Sequence, residues 1–347
     1  MKKTKVAAVL LAASMTAGLL AGCGGTEAAS FPDPEKTITM IVPQAAGGGT
    51  DLQARQLVEA MKSVSGNNNI IVENVTGGST GTGTNQVIDA EPDGYTILMY
   101  GTYVICGTMT GYTEGFKELD FLNGLSMEPF VLAVNTDSPY TPFDELVTAA
   151  QENPGQMTLG NAGATATTGI VAYGLNNALE TPFNVVSFNG GAELIPAVLG
   201  GHCDVGVFSQ SEVIANMDGL RPLIFFGDGH SVLDQLADVP NLADAGYADL
   251  TVPGGCFRGI CAPKGTPDEV KTYLADVIEK AYNSDLFQDF MTEQGLLGEY
   301  SRLEEFEAYN EQAVEEIKPI IQATGLATGE YAEEAASYGR GGVNQRN

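Results

Sequence analysis

The sequence predicts an α/β protein of two Rossmann-like domains, each built on a parallel sheet of strand–helix–strand units. Three observations carry this. Short β-branched runs alternate with stretches of helical apolar period along most of the chain. The connections that follow the strands are short and rich in Gly and Thr. Two such sets occur one after the other, and 347 residues are ample for two cores of ordinary domain size.

Taken in order, Ile38-Thr39-Met40-Ile41-Val42 reads as a buried strand and residues 44–50 as a Gly-rich loop. Residues 51–64 form a helix, because Ala54, Leu57, Val58 and Met61 recur at i, i+3, i+4 and i+7. Ile70-Ile71-Val72-Glu73 is the next strand. A second Gly/Thr loop over 75–84, a helix to Ile88 and a strand over 96–100 follow. The second set starts after Val131-Leu132-Ala133-Val134. Residues 143–151 are helical and stop at Asn153-Pro154-Gly155. Met157-Thr158-Leu159 is a strand, followed by a polar loop over 160–168 and a helix to Leu179. Strands at Val185-Val186, 205–208 and 223–226, with a helix over 192–199, continue the alternation. Thr266-Pro267-Asp268-Glu269 has the pattern of a capping box, with Thr266 as N-cap and Pro267 at the first helical position. Acidic amphipathic helices are expected from there to about Ala323.

The apolar strands near Leu132 and Ile260 are candidates for two crossovers between domains. That gives a discontinuous first domain, 37–134 plus 259–325, and a continuous second domain, 135–258. Residues 326–347 are read as a disordered polar tail.

The first residues read as an address. Lys2, Lys3 and Lys5 precede an apolar run over 6–20, which is a signal-peptide pattern and too short for a membrane span. The run ends in Leu20-Ala21-Gly22-Cys23, which resembles the bacterial lipobox. Cleavage after residue 22 would leave a lipidated Cys23, with residues 23–36 as a tether. The expected location is the outer face of the cytoplasmic membrane, held by the lipid anchor.

Charge narrows the partners. Lys and Arg number 16 against 44 Asp and Glu, for a formal net charge of −28. No basic surface exists to neutralise phosphates, so nucleic acid and anionic lipid headgroups are poor partners. Between Glu118 and Leu220 there is no Lys or Arg, yet twelve Asp and Glu. An anion bound there must be held by backbone N–H groups and hydroxyls.

Four further cysteines, Cys106, Cys203, Cys256 and Cys261, could be structural thiols or supply one bridge. No CxxC motif or nearby His makes a metal site, and no cofactor is expected. His202 reads as a surface residue and His230 as part of a turn; no G-x-S-x-G is present, so no catalytic residues are assigned.

Three Gly/Thr/Ser-rich loops follow strands and open helices: 44–51, 76–84 and 161–168. In open α/β sheets ligands sit beyond the carboxyl ends of the strands, where helix N-termini aim N–H donors. None of these loops is a Walker motif or a G-x-G-x-x-G fingerprint, which disfavours a nucleotide. A compact carboxylate suits them. Asp51 has two readings, an ion pair with a ligand amine or satisfaction of N–H groups in its own loop and first helical turn.

The ordered motifs then resemble a family. Ile41-Val42-Pro43-Gln44-Ala45-Ala46-Gly47-Gly48-Gly49-Thr50-Asp51, Val72-Glu73-Asn74-Val75-Thr76-Gly77-Gly78-Ser79-Thr80-Gly81 and Ala90-Glu91-Pro92-Asp93-Gly94-Tyr95-Thr96 are similar to the solute receptors of tripartite tricarboxylate transporters, the Bug family. Leu199-Gly200-Gly201, Val239-Pro240-Asn241-Leu242 and Ala262-Pro263-Lys264-Gly265-Thr266-Pro267 continue the resemblance over nearly the whole mature chain.

The resemblance implies a two-lobed, type II periplasmic-binding-protein fold that closes on a small organic acid. First-domain residues Gln44, Ala45, Ala46, Gly47, Gly48, Gly49, Thr50 and Asp51, with Thr76, Gly77, Gly78, Ser79 and Thr80, would act as a pincer on one carboxylate. Ala164, Thr165, Ala166, Thr167 and Thr168, with Phe188, Asn189, Gly190 and Ser209, would grip the far end. The implied partner is an integral-membrane transporter of one large and one small subunit, served by a monomeric receptor. Asn189 stands where the family usually has a Lys or Arg, Gly169-Ile170 where His-Leu is common, and Phe257-Arg258 near an expected aromatic. A ligand with one carboxylate and a neutral, polar or cationic far end is therefore expected. A receptor that presents its ligand to a sensor kinase, and an α/β enzyme acting on an organic acid, are the competing readings.

Overall fold

The computed structural model describes residues 31–180, 182–226 and 230–332. The signal peptide expected over 1–22 and the lipidation expected at Cys23 lie outside the described residues. The chain from Thr37 onward is one unit, separate from Met1–Lys36. Of that first unit, residues 31–36 make bends and turns.

The expected alternation is present. β1 (Ile38–Val42), α1 (Gly49–Ser65), β2 (Ile70–Asn74), α2 (Gly81–Ile88), β3 (Thr96–Gly101) and α3 (Thr102–Met109) come first, and β1 pairs in parallel with both β2 and β3. A 17-residue strand, β4 (Leu119–Asn135), follows. Then come α4 (Phe143–Glu152), β5 (Thr158–Asn161), α5 (Thr167–Ala178), β6 (Asn184–Ser187), α6 (Gly191–Leu199), β7 (Val205–Ser209), α7 (Gln210–Ile214) and β8 (Leu220–Phe225). β5 is parallel to both β6 and β7. The chain ends with β9 (Gly255–Pro263), α8 (Asp268–Tyr282), α9 (Asp285–Glu293), β10 (Leu297–Arg302) and α10 (Glu304–Thr324).

Strand order is β2-β1-β3-β9-β4-β7-β5-β6, with β8 and β10 also pairing β4. β4 changes partner along its length. Up to Pro129 it runs antiparallel to β9, and from Phe130 it runs between β7 and β8. At the change, Pro129 faces Gly255 and the Phe130 amide donates to the Gly254 carbonyl at 2.9 Å. Below this point Tyr100, Phe121, Phe257 and Phe306 pack edge to face or tilted, the aromatic part of a core that also takes in Leu132 and Val207.

Several local readings change. Only 131–134 of β4 reads as a strand from sequence, because Asn123, Ser126 and Glu128 interrupt the apolar pattern. All three are fully buried. β10 lies where helices were expected; pairing with β4, Leu297 opposite Met127 and Arg302 opposite Asn123, makes it a strand. The capping box at Thr266 does not form. Asp120 accepts from the Gly265 and Thr266 amides, both at 3.0 Å, the Thr266 hydroxyl donates to the Pro263 carbonyl, and α8 begins one residue later, with Pro267 as its N-cap. The expected tail is ordered at its start. Leu326, Ala327 and Tyr331 pack on the core, and the Thr328 amide donates to the Met109 carbonyl; residues 333–347 lie outside the described residues. Cys106, Cys203, Cys256 and Cys261 are buried free thiols.

Candidate functional site

Three helices start at one point. α1 begins at Gly49, α6 at Gly191 and α7 at Gln210, and the carboxylate of Glu212 sits where they meet. Its Oε2 accepts from the Ser209 amide at 2.9 Å, the N-cap of α7, and its Oε1 from the Gly49 amide at 3.3 Å. A Cβ on Gly191 would overlap this carboxylate, and one on Gly48 would stand 3.3 Å from Oε1. The glycines are what let an acid side chain nest against two other helix starts. Burial, then the nearby Glu128 carboxylate, push the Glu212 pKa up to about 7, against the pull of the two amides and Arg258.

Beneath Glu212 lies a buried ion pair. Glu128, at the end of the β9-paired part of β4, accepts from Arg258 Nη1 on β9, from the Ser211 hydroxyl and, at 3.1 Å, from the Ser211 amide. The Arg258 Nε donates to Thr50 Oγ1 at 3.1 Å, and Nη1 also reaches Gln53 Oε1 at 3.3 Å. Gln53 in turn donates to Ser126 Oγ. Burial opposes charge on the guanidinium, but contact with Glu128 more than offsets it and raises its pKa. Such a pair persists because its remaining donors and lone pairs are also satisfied.

The loop over 44–51 is locked by Asp51. Its Oδ2 accepts from the Gly47 amide at 2.8 Å and from Arg55 Nε, and its Oδ1 from Asn74 Nδ2. Burial alone would raise its pKa; the hydrogen bonds from Arg55, Gly47 and Asn74, with the Arg55 charge, hold it below the usual value. Of the two sequence readings for Asp51, the geometry is that of the loop-satisfying residue.

The two sets of loops touch. The Thr165 amide donates to Ser79 Oγ at 2.8 Å, and the Ala45 amide to the Asn189 carbonyl at 3.3 Å. Ser79 and Thr80 both hold positive φ, 52° and 82°, a strained conformation for side chains of this type. Between the loops is a small cavity of about 30 Å³, lined by Gln44, Gly49, Thr50, Tyr103, Phe130, Ala162, Ala166, Thr167, Thr168, Gly191, Ser209, Glu212, Cys256 and Arg258. It has room for about one or two waters. The hydroxyls of Thr80 and Thr165 are buried with no hydrogen-bond partner in the protein, and that of Thr167 has only the Cys106 thiol beside it. An unsatisfied buried hydroxyl is costly and points to a missing polar partner. Three roomier grooves, of about 470, 610 and 770 Å³, lie elsewhere; the two larger are lined mainly by side chains of α10 and neighbouring segments, and the third by α4 with Pro139 and Tyr140.

Of the expected residues, Gln44, Gly49, Thr50, Ala166, Thr167, Thr168 and Ser209 line the cavity. Ala45, Ser79, Thr165 and Asn189 make the contacts between loops, and Gly190 leads into α6. Ala46, Thr76, Gly77, Gly78, Ala164 and Phe188 are not among the lining residues; Gly77 and Gly78 shape their turn with positive φ. Sequence reasoning missed Glu128, Glu212 and Tyr103, and it met Arg258 only as a departure from a motif. His202 is exposed, and His230 stands 3.7 Å from Asp244 at the surface. Among the described residues, no group of three or more His, Cys, Asp or Glu is placed to hold a metal, and no helix is long and apolar enough to cross a membrane.

With this geometry in view, residues 53–326 match the model of the tripartite tricarboxylate transporter family receptor, TctC. The chain is 27% identical over 326 residues, 92% of its length and 96% of the relative's, to a UPF0065 protein from Cupriavidus necator. It is 24% identical to protein BugT of Bordetella pertussis over 94% of its length and 99% of that protein's. Among solved structures, periplasmic binding protein BugD superposes with a TM-score of 0.79 at 25% identity, covering 86% of this chain and all of that one. MatC from Rhodopseudomonas palustris with bound malate superposes with a TM-score of 0.74 at 21% identity, covering 84% of this chain and 100% of that one. The buried cleft, the paired Gly-led helix starts and the partner-switching strand are thus those of a two-lobed periplasmic binding protein, and the chain belongs to the receptor family of the tripartite tricarboxylate transporters, as a Bug-type substrate-binding protein.

Proposed function

We propose that the protein captures a small organic carboxylate outside the cytoplasm and delivers it to a tripartite membrane transporter with one large and one small subunit. The observation that carries this is the small cavity where helix starts converge, lined by the Thr50, Thr167, Thr168 and Ser209 hydroxyls. The one side-chain cation on its wall, Arg258, is already paired with Glu128, so amides and hydroxyls are the donors left for a ligand, which suits one carboxylate better than several. Neighbours of the same fold hold malate or adipate; both are dicarboxylates, so they support a small organic acid and not the single-carboxylate reading. In this reading the lobes are 37–134 plus 259–325 and 135–258, hinged where β4 and β9 leave one sheet half for the other. Lipidated Cys23 and the tether over 23–36 would keep the monomeric receptor at the membrane.

Thermal shift of the mature chain against mono-, di- and tricarboxylates tests this, after unfolding and refolding to strip any carried ligand. A ligand specific for the native state at 100 times its Kd adds roughly 2.7 kcal/mol. A monocarboxylate with a polar or cationic far end is expected to give the largest shift. A tricarboxylate as the tightest ligand contradicts the single-carboxylate reading, and no shift with any acid contradicts the receptor reading.

A further inference from the structure

The largest of the three grooves, about 770 Å³, lies on the far face of the strands that carry the cavity. Along β4 and β9 the cavity takes Phe130, Cys256 and Arg258, and the groove takes the alternate residues Met127, Pro129, Gly255 and Phe257. Successive side chains on a strand point to opposite faces, so one pair of strands has the cavity in front and the groove behind. We propose that this groove is a docking site for an extended apolar segment flanked by Lys or Arg, carried by the membrane transporter. The identity of the partner rests on the receptor reading, and the chemistry of the segment rests on the groove.

The first argument is the apolar surface. One wall is α10, which brings Tyr309, Ala313, Ile317 and Ile320 to the groove. They stand at i, i+4, i+8 and i+11, one stripe of the helix. The other wall is the connection over 241–253, with Leu242, Leu250 and Val252 lining it. Leu242, Leu250, Val252, Tyr309 and Ile320 are only partly buried, so apolar side chains stay open to solvent on both walls. A large open apolar surface marks an interaction site.

The second argument is the backbone of that connection. Residues 242–254 contain no helix or strand. An ordered connection of this length without either is uncommon in a compact fold, and it is usually functional. Its turns are closed by the Ala245, Gly246, Tyr247 and Leu250 amides. Beyond them, the Thr251 and Val252 amides have no acceptor among the described residues, and the carbonyls of the same two residues have no donor. An extended peptide laid along them would pair with these groups, as an added strand does at a free sheet edge.

Charge sets the flanks. Glu299 and Glu316 are exposed on the walls, and no Lys, Arg or His lines the groove. With a formal net charge of −28 on the chain, the groove attracts a basic segment and repels an acidic one or an anionic lipid headgroup. A small apolar cation would meet the acids but leave the Thr251 and Val252 backbone groups unpaired. The position of the groove also gives the contact a use. In the lobe assignment proposed above, α10 belongs to one lobe and the 241–253 connection to the other, with β4 and β9 crossing between them. A lobe movement that closes the cavity in front changes the width of the groove behind, so a docked segment senses capture.

Fluorescence anisotropy on the purified mature chain tests the proposal. The probe is a short labelled peptide of alternating Val and Thr with a pair of Lys at one end. The controls are the same peptide with Glu in place of Lys, the Lys peptide with N-methylated Val, which cannot pair along its backbone, and hexylamine as a small apolar cation. The Lys peptide is expected to bind at least tenfold tighter than either altered peptide, and to weaken as salt is added. Glu299→Lys combined with Glu316→Lys should reverse the preference between Lys and Glu peptides; both side chains are exposed, so the fold is not at stake. Thr251→Pro, which removes one of the unpaired amides, should weaken the Lys peptide and leave the charge preference in place. No binding of the Lys peptide, a preference untouched by the charge reversal, equal binding of the N-methylated peptide, or displacement by hexylamine at equal concentration overturns the docking assignment. A dimer in sedimentation that the charge reversal disperses also overturns it, because the occupant is then a second copy of this chain. Peptide binding as expected, with no organic acid shifting the melting temperature, overturns the receptor reading instead.

Discussion

Glu212 sets the pH response of the unliganded protein. Its folded pKa, about 7, stands above the ordinary 4.5. Below pH 4.5 the carboxyl is protonated in both folded and unfolded chains, and it contributes nothing to the pH dependence. Between 4.5 and 7 the unfolded chain ionises while the folded one keeps its proton, so stability falls as pH rises. Above 7 the loss is complete, on the order of 3 kcal/mol by linkage. Glu212→Gln cannot ionise and escapes this loss. Denaturant unfolding at a series of pH values should show the variant gaining on the wild type from pH 5 to pH 7.5 and then running parallel to it. A constant difference across that range would remove Glu212 from the account. This residue was not legible in the sequence, where it is one of twelve acids in a stretch without a cation. Its bond to Ser209 is a capping box, carried locally by a Ser-x-x-Glu spacing, but only the fold brings Gly49 and Gly191 beside it. The glycines themselves were legible, because a run such as Gly47-Gly48-Gly49 after a strand has few other uses.

At the scale of the element, the sequence reads well wherever one period dominates. α1 carries Ala54, Leu57, Val58 and Met61 on its buried face, as its spacing requires. β4 reads poorly for a physical reason. The polar residues that break its apolar run, Ser126 and Glu128, are the ones that hold Gln53 and Arg258. The features that hide the strand are the features that build the site. The start of α6 shows the same coupling between element and site, because Gly191 is both its first residue and the floor under the Glu212 carboxylate. Gly191→Ala would favour the helix by propensity, by about 1 kcal/mol. It would also force Glu212 off the helix starts, and crowding in a packed region costs roughly 1–3 kcal/mol. The expected balance is a net loss of stability. The loss should shrink in the Gly191→Ala, Glu212→Ala double variant, where the overlapping carboxylate is gone. Equal losses in the single and double variants, measured by urea unfolding, would place the cost in the α6 backbone.

For the whole molecule, closure depends on contacts that no single loop specifies. The order of motifs along the chain disclosed the two-lobed fold, while the pairing of particular loops emerges only in three dimensions. Ala45 and Asn189 meet through one backbone hydrogen bond, and a Cβ on Gly190 would come within 3.1 Å of Ala45. A larger side chain at Ala45 should therefore act as a wedge. Ala45 is only half-buried and lies on a loop whose shape is fixed by Asp51, so Ala45→Phe should leave each lobe intact. Surface changes of this type usually alter stability by about 0.5 kcal/mol or less, whereas closure would lose one of its close approaches. The expected outcome is an unliganded melting temperature near that of the wild type, together with a larger radius of gyration by small-angle scattering. The wedge variant should also lose most of its thermal shift with the tightest ligand found for the wild type, because ligand-linked stabilisation depends on affinity for the closed form. A wedge variant that closes and binds like the wild type would show that the loops at Ala45 and Asn189 do not govern closure. Closure would then rest on the remaining contacts, Ser79–Thr165, Gly49–Glu212 and Glu128–Ser211.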